Sequence, residues 1–580
     1  MKVKQLVPQL NKDTFINDYF RACGIEDVEE FECCTGKYIQ SANLVYEDIE
    51  FKAKWFIEHI GNITILGKDI VIVCDSDNDG LCSSALTYYM LTTYGVQKDK
   101  IKFLYHSDKT HGLTNEIMEQ IREIEPKMVV IPDAGSNDIE QTQELLDKGI
   151  CVLILDHHKV DNKKLAKLNK LFGNLNYCIV NNQLESNANK YLCGTGVVYK
   201  FWCTVRNVYN YPHKVGNIDL VAMANIADVM DMRDLENVAF NKWGLWCGVQ
   251  NPFLKALCKH YCKKTNGITP EDISWSIAPK LNAVCRSDNQ EAKDLVLRAF
   301  CGLIEDYSEV IKVIEQCYRK QKNDVKKTFE NILNSCDEPL DSEKVIIRFC
   351  ENTPYTGLIA NKLMSHYNKP ILLVHKNENG LCMGSGRSPI PIREQIADCK
   401  DIIFAQGHEK AFGICWDEHK TSSLMVYLSH LDLNYNAEYL VASILSPSHI
   451  PTWLFYETEK YQRCWGEGVQ APMFYIQRVR INSKDIRELG NGTTLKFKYK
   501  DIDYLKFFAT KQDKELLSIG TNKLLIIDII GSLGVNRYNG REYPQVKIDK
   551  FEIVEERWES IWQIMKLLRK RLLVYKLGAI

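Results

Sequence analysis

Three hydrophobic patterns follow one another along the chain. From residue 61 to 235, short uninterrupted apolar runs (Ile70 to Cys74, Met128 to Ile131, Ile150 to Leu155) alternate with amphipathic stretches. Apolar runs of that length, bounded by polar residues, predict strands buried on both faces, and their alternation with helix-length segments predicts a parallel sheet with crossover helices. Residues 236–343 read as a helical connector, with an almost unbroken helical period from 295 to 335 (Leu297, Phe300, Leu303, Ile304, Tyr307, Val310). A second α/β unit spans 344–430, opening at Val345-Ile-Ile347 and continuing through Ile371 to Val374.

After a linker at 431–469, the period shortens to that of strands over 470–555. Leu495-Lys-Phe-Lys-Tyr-Lys500 alternates strictly, placing three apolar side chains on one face and Lys496, Lys498 and Lys500 on the other. Five or so such strands with glycine turns suit a small barrel of the OB type. Residues 1–60 read as helical and aromatic-rich, and 556–580 as a terminal amphipathic helix (Trp558, Ile561, Trp562, Met565, Leu568). The expected class is α/β, with a second α/β domain and a C-terminal OB-like barrel.

Composition narrows the picture without changing it. A chain of 580 residues exceeds one core and divides into several domains. A net charge of −2 excludes a uniformly basic polyanion binder, so any nucleic-acid site is a local groove. No apolar run approaches membrane-spanning length, and the first residues lack a signal peptide's apolar core. The 21 cysteines include no CxxC pair and sit largely in apolar runs. Free thiols and a cytoplasmic location follow as expectations.

The candidate chemistry lies where the apolar runs end. Asp75-Ser-Asp77-Asn-Asp79-Gly80, Asp133-Ala-Gly135 and Asp156-His157-His158 each follow a predicted strand, and Ala227-Asp228 sits in a stretch of helical period, Ile218 to Met232. In open α/β sheets the carboxyl edge is where ligands bind. Any one of these aspartates alone is better read as a helix cap. Four such segments in order, mixing carboxylate with imidazole, point to a pair of Mn²⁺-type cations, with Mg²⁺ as the alternative.

Those residues resemble the DHH phosphoesterases: DxDxDG, then DxG, then Asp-His-His, then Ala-Asp-Val. Within that superfamily the fit is to the RecJ-like single-strand-specific exonucleases. Cys193-Gly-Thr-Gly-Val197, Ala278-Pro-Lys-Leu-Asn-Ala-Val-Cys-Arg286, Gly384-Ser-Gly-Arg-Ser388 and Gly407-His-Glu-Lys-Ala-Phe-Gly413 match further motifs. The resemblance covers roughly residues 60–555. It implies Asp75, Asp77, Asp133, His157 and Asp228 as metal ligands, with Asp133 bridging and Asp79 and Asp156 in support. It implies His158 at the scissile phosphate, and Arg286 and Asn282 facing the substrate. Ser385, Arg387 and His408 would hold strand phosphates, with Lys109 near the 5′ end.

The chain also departs from the pattern. Tyr105-His106 and Thr110-His111-Gly112-Leu113 stand where an Asn-Arg pair and a GYGL turn are usual, Phe412 stands for an alanine, and Cys285 for a glycine. The implied activity is metal-dependent 5′→3′ hydrolysis of single-stranded DNA to 5′ mononucleotides in repair or recombination, by a monomer. A single-strand-binding protein or helicase is the expected partner. Two alternatives stand beside it: a phosphodiesterase of short oligonucleotides or cyclic dinucleotides, and a non-catalytic DNA-binding scaffold.

Overall fold

The computed structural model describes residues 1–558 apart from 35, 40–45, 108–109, 213, 247, 264–266, 336–342, 434–437, 491 and 539. Lys109 and the stretch 559–580, which holds most of the expected terminal helix, lie outside the described residues. The chain forms two compact units. One comprises Thr35–Met230 with Ala239–Ala437, and the other Met1–Cys34, Asp231–Val238 and Glu438–Ile580.

In the larger unit, strands β1 (Ile70–Cys74), β2 (Ile101–Tyr105), β3 (Met128–Pro132), β4 (Cys151–Asp156) and β5 (Tyr177–Asn181) form a wholly parallel sheet ordered β2-β1-β3-β4-β5. Every residue of β1, β3, β4 and β5 is buried, which is why these strands read as continuous apolar runs. Successive side chains still divide between two layers. Ile70, Ile72, Met128, Val130 and Leu153 pack with helices α1 (Asn78–Thr93) and α2 (Gly194–Val208). Val71, Val73, Val129, Ile131 and Val152 pack on the other face with Ile117, Ile121, Leu145 and Leu168. The chain runs from β1 to one side and then returns to the other, so strand order reverses between β1 and β3. That switch point puts Asp75 and Asp133 side by side.

Helices α3 (Ile218–Ala227), α4 (Ala278–Cys285) and α5 (Tyr307–Ser335) follow, the last 29 residues long. A second sheet then forms from β6 (Ile346–Phe349), β7 (Ile371–Lys376), β8 (Leu381–Arg387), β9 (Ile402–His408) and β10 (Ala411–Asp417), ordered β9-β10-β8-β7-β6. Helix α6 (Thr356–Tyr367) and the end of α5 share one of its cores through Val325, Ile332, Ile359, Leu363 and Leu373. Phe412 is buried in this domain's other core, its ring where a Cβ on Gly386 would stand.

In the smaller unit, a seven-stranded sheet runs Ser443–Leu445, Met473–Asn482, Lys523–Tyr538, Arg541–Trp558, Ile502–Phe507, Thr494–Tyr499, Arg487–Leu489. Leu495 and Phe497 face inward as their alternation requires. Trp558, assigned from sequence to the terminal helix, ends a long strand paired with Lys523; a strand of aromatic and charged residues shares part of a helical period there. The stretch expected as a linker carries strands Tyr439–Val441 and Ser443–Leu445 and helix Thr452–Lys460. Val3–Gln5 pairs in parallel with Tyr439–Val441. The helix Phe15–Ala22 packs Phe15 on Trp453 and Phe474, and Phe20 on Tyr461 and Trp465. Phe455, Phe474 and Tyr475 are therefore core.

Candidate metal centre

The site begins with the turn that leaves β1. Asp77 caps α1, its carboxylate accepting from Gly80 N at 3.0 Å, so the DxDxDG segment folds back on itself. A Cβ on Gly80 would lie 2.5 Å from Asp75 O, which leaves glycine as the residue that fits. Asp79 points into the sheet edge instead. Its two oxygens accept from Gly194 N (2.7 Å) and Thr195 N (2.8 Å) at the start of α2, where the helix dipole favours an anion. Gly194 approaches so closely that a Cβ there would fall 2.4 Å from Asp133 Oδ1. The glycine turn thus fastens the β1 turn to the end of β3.

Asp133 itself adopts φ +67, and Val229, just after Asp228, adopts φ +58. Left-handed backbone at a non-glycine residue, β-branched in the second case, costs about 1–3 kcal/mol and collects at functional sites. The two flank one cluster. Ligand atoms of Asp75, Asp77 and Asp133 lie within 4.8 Å of one another, as do those of Asp79, His157 and Asp228, and of Asp133, His157 and His158. His157 Nε2 stands 3.2 Å from Asp133 Oδ1, and 3.8 Å from both Asp79 Oδ2 and Asp228 Oδ2. All five predicted metal ligands therefore converge, and Asp133 reaches both halves.

The electrostatics ask for cations. Burial, and then the fields of Asp79, Asp77 and Asp75, push the Asp133 carboxyl well above the usual carboxylate range. Burial and the same neighbours raise Asp228, whose place at the carboxyl end of α3 is a further cost to an anion. Burial also holds His157 below the ordinary histidine range, keeping its imidazole neutral. Asp75 Oδ1 and Asp133 Oδ1 are buried and accept no hydrogen bond. Carboxyl groups pushed toward their protonated form by one another, beside a neutral imidazole, fit divalent cations that would displace those protons.

Around this cluster sit groups that orient it. Asp156 turns away from the ligands. Its Oδ1 accepts from His157 N (2.7 Å), His158 N (3.0 Å) and His158 Nδ1 (2.8 Å), and its Oδ2 from Ser136 N (3.1 Å). Burial opposes charge on His158, yet its bond to Asp156 and the fields of Asp156, Asp75 and Asp228 prevail and push its pKa up to about 10. His111, which sequence reasoning noted only as a departure, shares a hydrogen bond of 2.6 Å with Asp75 Oδ2. Its signal was a histidine in a turn following β2, three residues before the Thr114 helix cap. Cys285 lies against Asp77 O at 3.4 Å, so the α4 segment abuts the same turn.

Arg286 caps α4, and Asn282 sits on that helix with its Oδ1 buried and unbonded. Burial and the nearby Arg286 depress the Arg387 guanidinium, which marks two cations converging from separate domains. Ser385 Oγ lies 3.0 Å from Thr356 Oγ1, and Gly357 leaves the room that Arg387 Nη2 needs. The first turn of α6 therefore joins the predicted phosphate contacts. His408 pairs with Ala411, which pairs with Arg387, so all three stand at one end of the sheet, with His408 exposed. In the smaller unit Lys496 is engaged by Asp503 (2.7 Å) and Lys500 donates to Ser448 O (2.6 Å), whereas Lys498 points into solvent.

Comparison with known proteins agrees with this geometry. The model of the DHH family, N-terminal domain, matches residues 69–228, and that of the RecJ OB domain matches 443–550. A Bacillus subtilis protein named as an SPbeta prophage-derived single-strand DNA-specific exonuclease, YorK, is 27% identical over 576 residues, 93% of this chain and 96% of its own. The single-stranded-DNA-specific exonuclease RecJ of the same organism is 22% identical, over 98% of this chain and 71% of its own. The crystal structure of RecJ with Mn²⁺ from Thermus thermophilus superposes with a TM-score of 0.64 at 19% identity, over 88% of this chain and 72% of that one. The chain thus matches a DHH domain and a RecJ OB domain in separate segments, and over nearly its whole length it is similar to proteins named as single-strand-specific exonucleases.

Proposed function

We propose that the protein is a metal-dependent exonuclease that hydrolyses single-stranded DNA from the 5′ end and releases 5′ mononucleotides, in repair or recombination. The observation that carries the reading is the convergence of Asp75, Asp77, Asp133, His157 and Asp228 at the sheet's switch point, with Asp133 common to two ligand groups. Its relatives named as single-strand-specific exonucleases, and RecJ structures solved with Mn²⁺ and with Mg²⁺, support both substrate and cofactor.

Those five residues would hold two divalent cations, Mn²⁺ or Mg²⁺. Such ions, when bound, neutralise phosphoryl charge and acidify a water. The chain's own groups do the rest. Asp156 locks the His158 ring through Nδ1 and keeps it charged at neutral pH, so His158 acts as a proton-bearing donor to the scissile phosphate rather than as a base. His111 steadies Asp75. Arg286 and Arg387 grip the 5′-terminal phosphate, aided by Ser385, and so set which bond reaches the metals. Asn282, His408 and, by resemblance, Lys109 attend neighbouring phosphates. Lys498 is a candidate strand contact in the OB domain. The chain acts as a monomer in the cytoplasm, with a single-strand-binding protein or helicase as partner; among the described residues no helix is long and apolar enough to cross a membrane.

Digestion of a single-stranded oligonucleotide with Mn²⁺, labelled at either end in separate reactions, tests this. A 5′ label released at once as mononucleotide, a 3′-labelled strand shortening gradually and an inactive Asp133→Ala variant are expected. Cleavage confined to dinucleotides or cyclic dinucleotides would replace this reading with the small-substrate one.

A further inference from the structure

Beside Arg286 the molecule is open. A cavity of about 870 Å³ extends from Arg286 between α5 and the loop after β6. No residue of the metal cluster lines it; Arg286, which does, directly follows Cys285, whose Sγ lies 3.4 Å from Asp77 O in the turn that carries the cluster. Its size falls in the range, roughly 300–1,000 Å³, of sites that enclose a small ligand. Its charges cancel: Arg286, Lys320 and Lys327 are matched by Asp288, Asp324 and Glu351, and Lys320 is already paired with Asp288 at 3.0 Å. A balanced wall of that kind does not attract a run of phosphates. Amide, hydroxyl and ring surfaces from Asn352, Thr353 and Phe349 suit a base and sugar instead. Arg286, whose Nε is buried and without a hydrogen bond, forms part of the wall.

We propose that this cavity takes one unphosphorylated 5′-terminal nucleoside, an inference that rests on the exonuclease reading above. On a strand ending in 5′-phosphate, the arginines hold the terminal phosphate and the cavity stays empty. On a strand ending in 5′-hydroxyl, the first internucleotide phosphate occupies the arginines and the terminal nucleoside enters the cavity. The bond at the metals is then the second one. Water adds to its phosphorus, the 3′-oxygen of the second nucleotide leaves and takes a proton, and the first product is a dinucleoside monophosphate. The remaining strand carries a 5′-phosphate and continues one nucleotide at a time.

The experiment compares two oligonucleotides of one sequence, 5′-phosphorylated and 5′-hydroxyl, with Mn²⁺ and mass analysis of early products. A dinucleoside monophosphate from the hydroxyl strand alone is expected, with mononucleotides from the other. Thr328→Trp, which fills the α5 wall, should slow the first cut of the hydroxyl strand at least tenfold and leave the phosphorylated strand within twofold. Should that variant fail to fold, Asn331→Trp, on an exposed position of the same wall, reads the same quantity. Digestion of the phosphorylated strand alone, or a free nucleoside as first product, overturns the cavity assignment and leaves the exonuclease reading intact. If neither strand is digested, both fall.

Discussion

Replacing Gly194 with alanine separates site geometry from stability. The new Cβ would lie 2.4 Å from Asp133 Oδ1 and 2.8 Å from Asp133 Cα; with ordinary contact beginning near 3.4 Å, Asp133 or the start of α2 must withdraw by about 1 Å. Two opposing terms act on stability. Crowding of this kind costs about 1–3 kcal/mol, and alanine regains about 1 kcal/mol of helix propensity over glycine. The net loss is about 0–2 kcal/mol, and folding survives. Catalysis has no such compensation, because a displacement of about 1 Å in a positioned group costs about 100-fold in rate. The same shift loosens Asp79, which accepts from Gly194 N. The assay pairs kcat on a 5′-phosphorylated oligonucleotide with thermal melting, each with and without Mn²⁺. A hundredfold fall in kcat beside a melting shift of a few degrees is expected, together with a smaller Mn²⁺-induced gain in Tm. Activity within threefold of the parent would refute the claim that the glycine turn sets the position of Asp133.

Four further outcomes follow from the same geometry. Because Asp133 and Asp228 are raised in the folded metal-free protein, that form binds more protons than the unfolded chain above the ordinary carboxylate pKa, and its stability falls as pH rises through that window; calorimetry should show the Tm gain from Mn²⁺ growing from pH 6 to pH 8. Asp156→Asn removes the charge that keeps His158 protonated up to about pH 10, so the pH–rate profile should lose its alkaline reach, with activity down about 10–100-fold. His111→Ala frees Asp75 Oδ2 and should weaken Mn²⁺ binding by about 10–100-fold in a titration, with little change in melting of the metal-free protein. Arg387→Ala should raise KM for 5′-phosphorylated and 5′-hydroxyl strands alike in the same rate assay, since one of two converging guanidiniums is lost from whichever phosphate they hold.

The acidic and histidine cluster was legible because a parallel sheet advertises itself. Strands buried on both faces leave unbroken apolar runs, and the residue after each run stands at the carboxyl edge. That placed Asp75, Asp133 and the Asp156-His157-His158 triplet at one edge, and the family resemblance named the candidate ligands among them. What stayed hidden depends on contacts between distant segments. His111 meets Asp75 through the path of one loop, and Thr356 meets Ser385 across 29 residues. That Asp156 faces backbone amides rather than metal is a matter of side-chain direction, which no spacing encodes. Lys496 looked free on an alternating strand, but its partner Asp503 comes from the neighbouring strand of the hairpin. At Trp558, strand and helix periods overlap for a few residues, and pairing with Lys523 decided between them.

The pairing of Val3–Gln5 with Tyr439–Val441 bears on how the chain is made. A strand that leaves the ribosome early waits for a partner more than four hundred residues downstream. At about 5–20 residues per second, that wait is about 20–90 s. Throughout it Phe15, Tyr19 and Phe20, at most 4% exposed once folded, have none of their aromatic partners from residues 453–474. The larger unit lies almost wholly between these two segments in sequence, and its sheet pairs only nearby strands, so it can fold meanwhile. The larger unit can therefore fold first, while the helix Phe15–Ala22 stays without its aromatic partners until residues 453–474 have emerged.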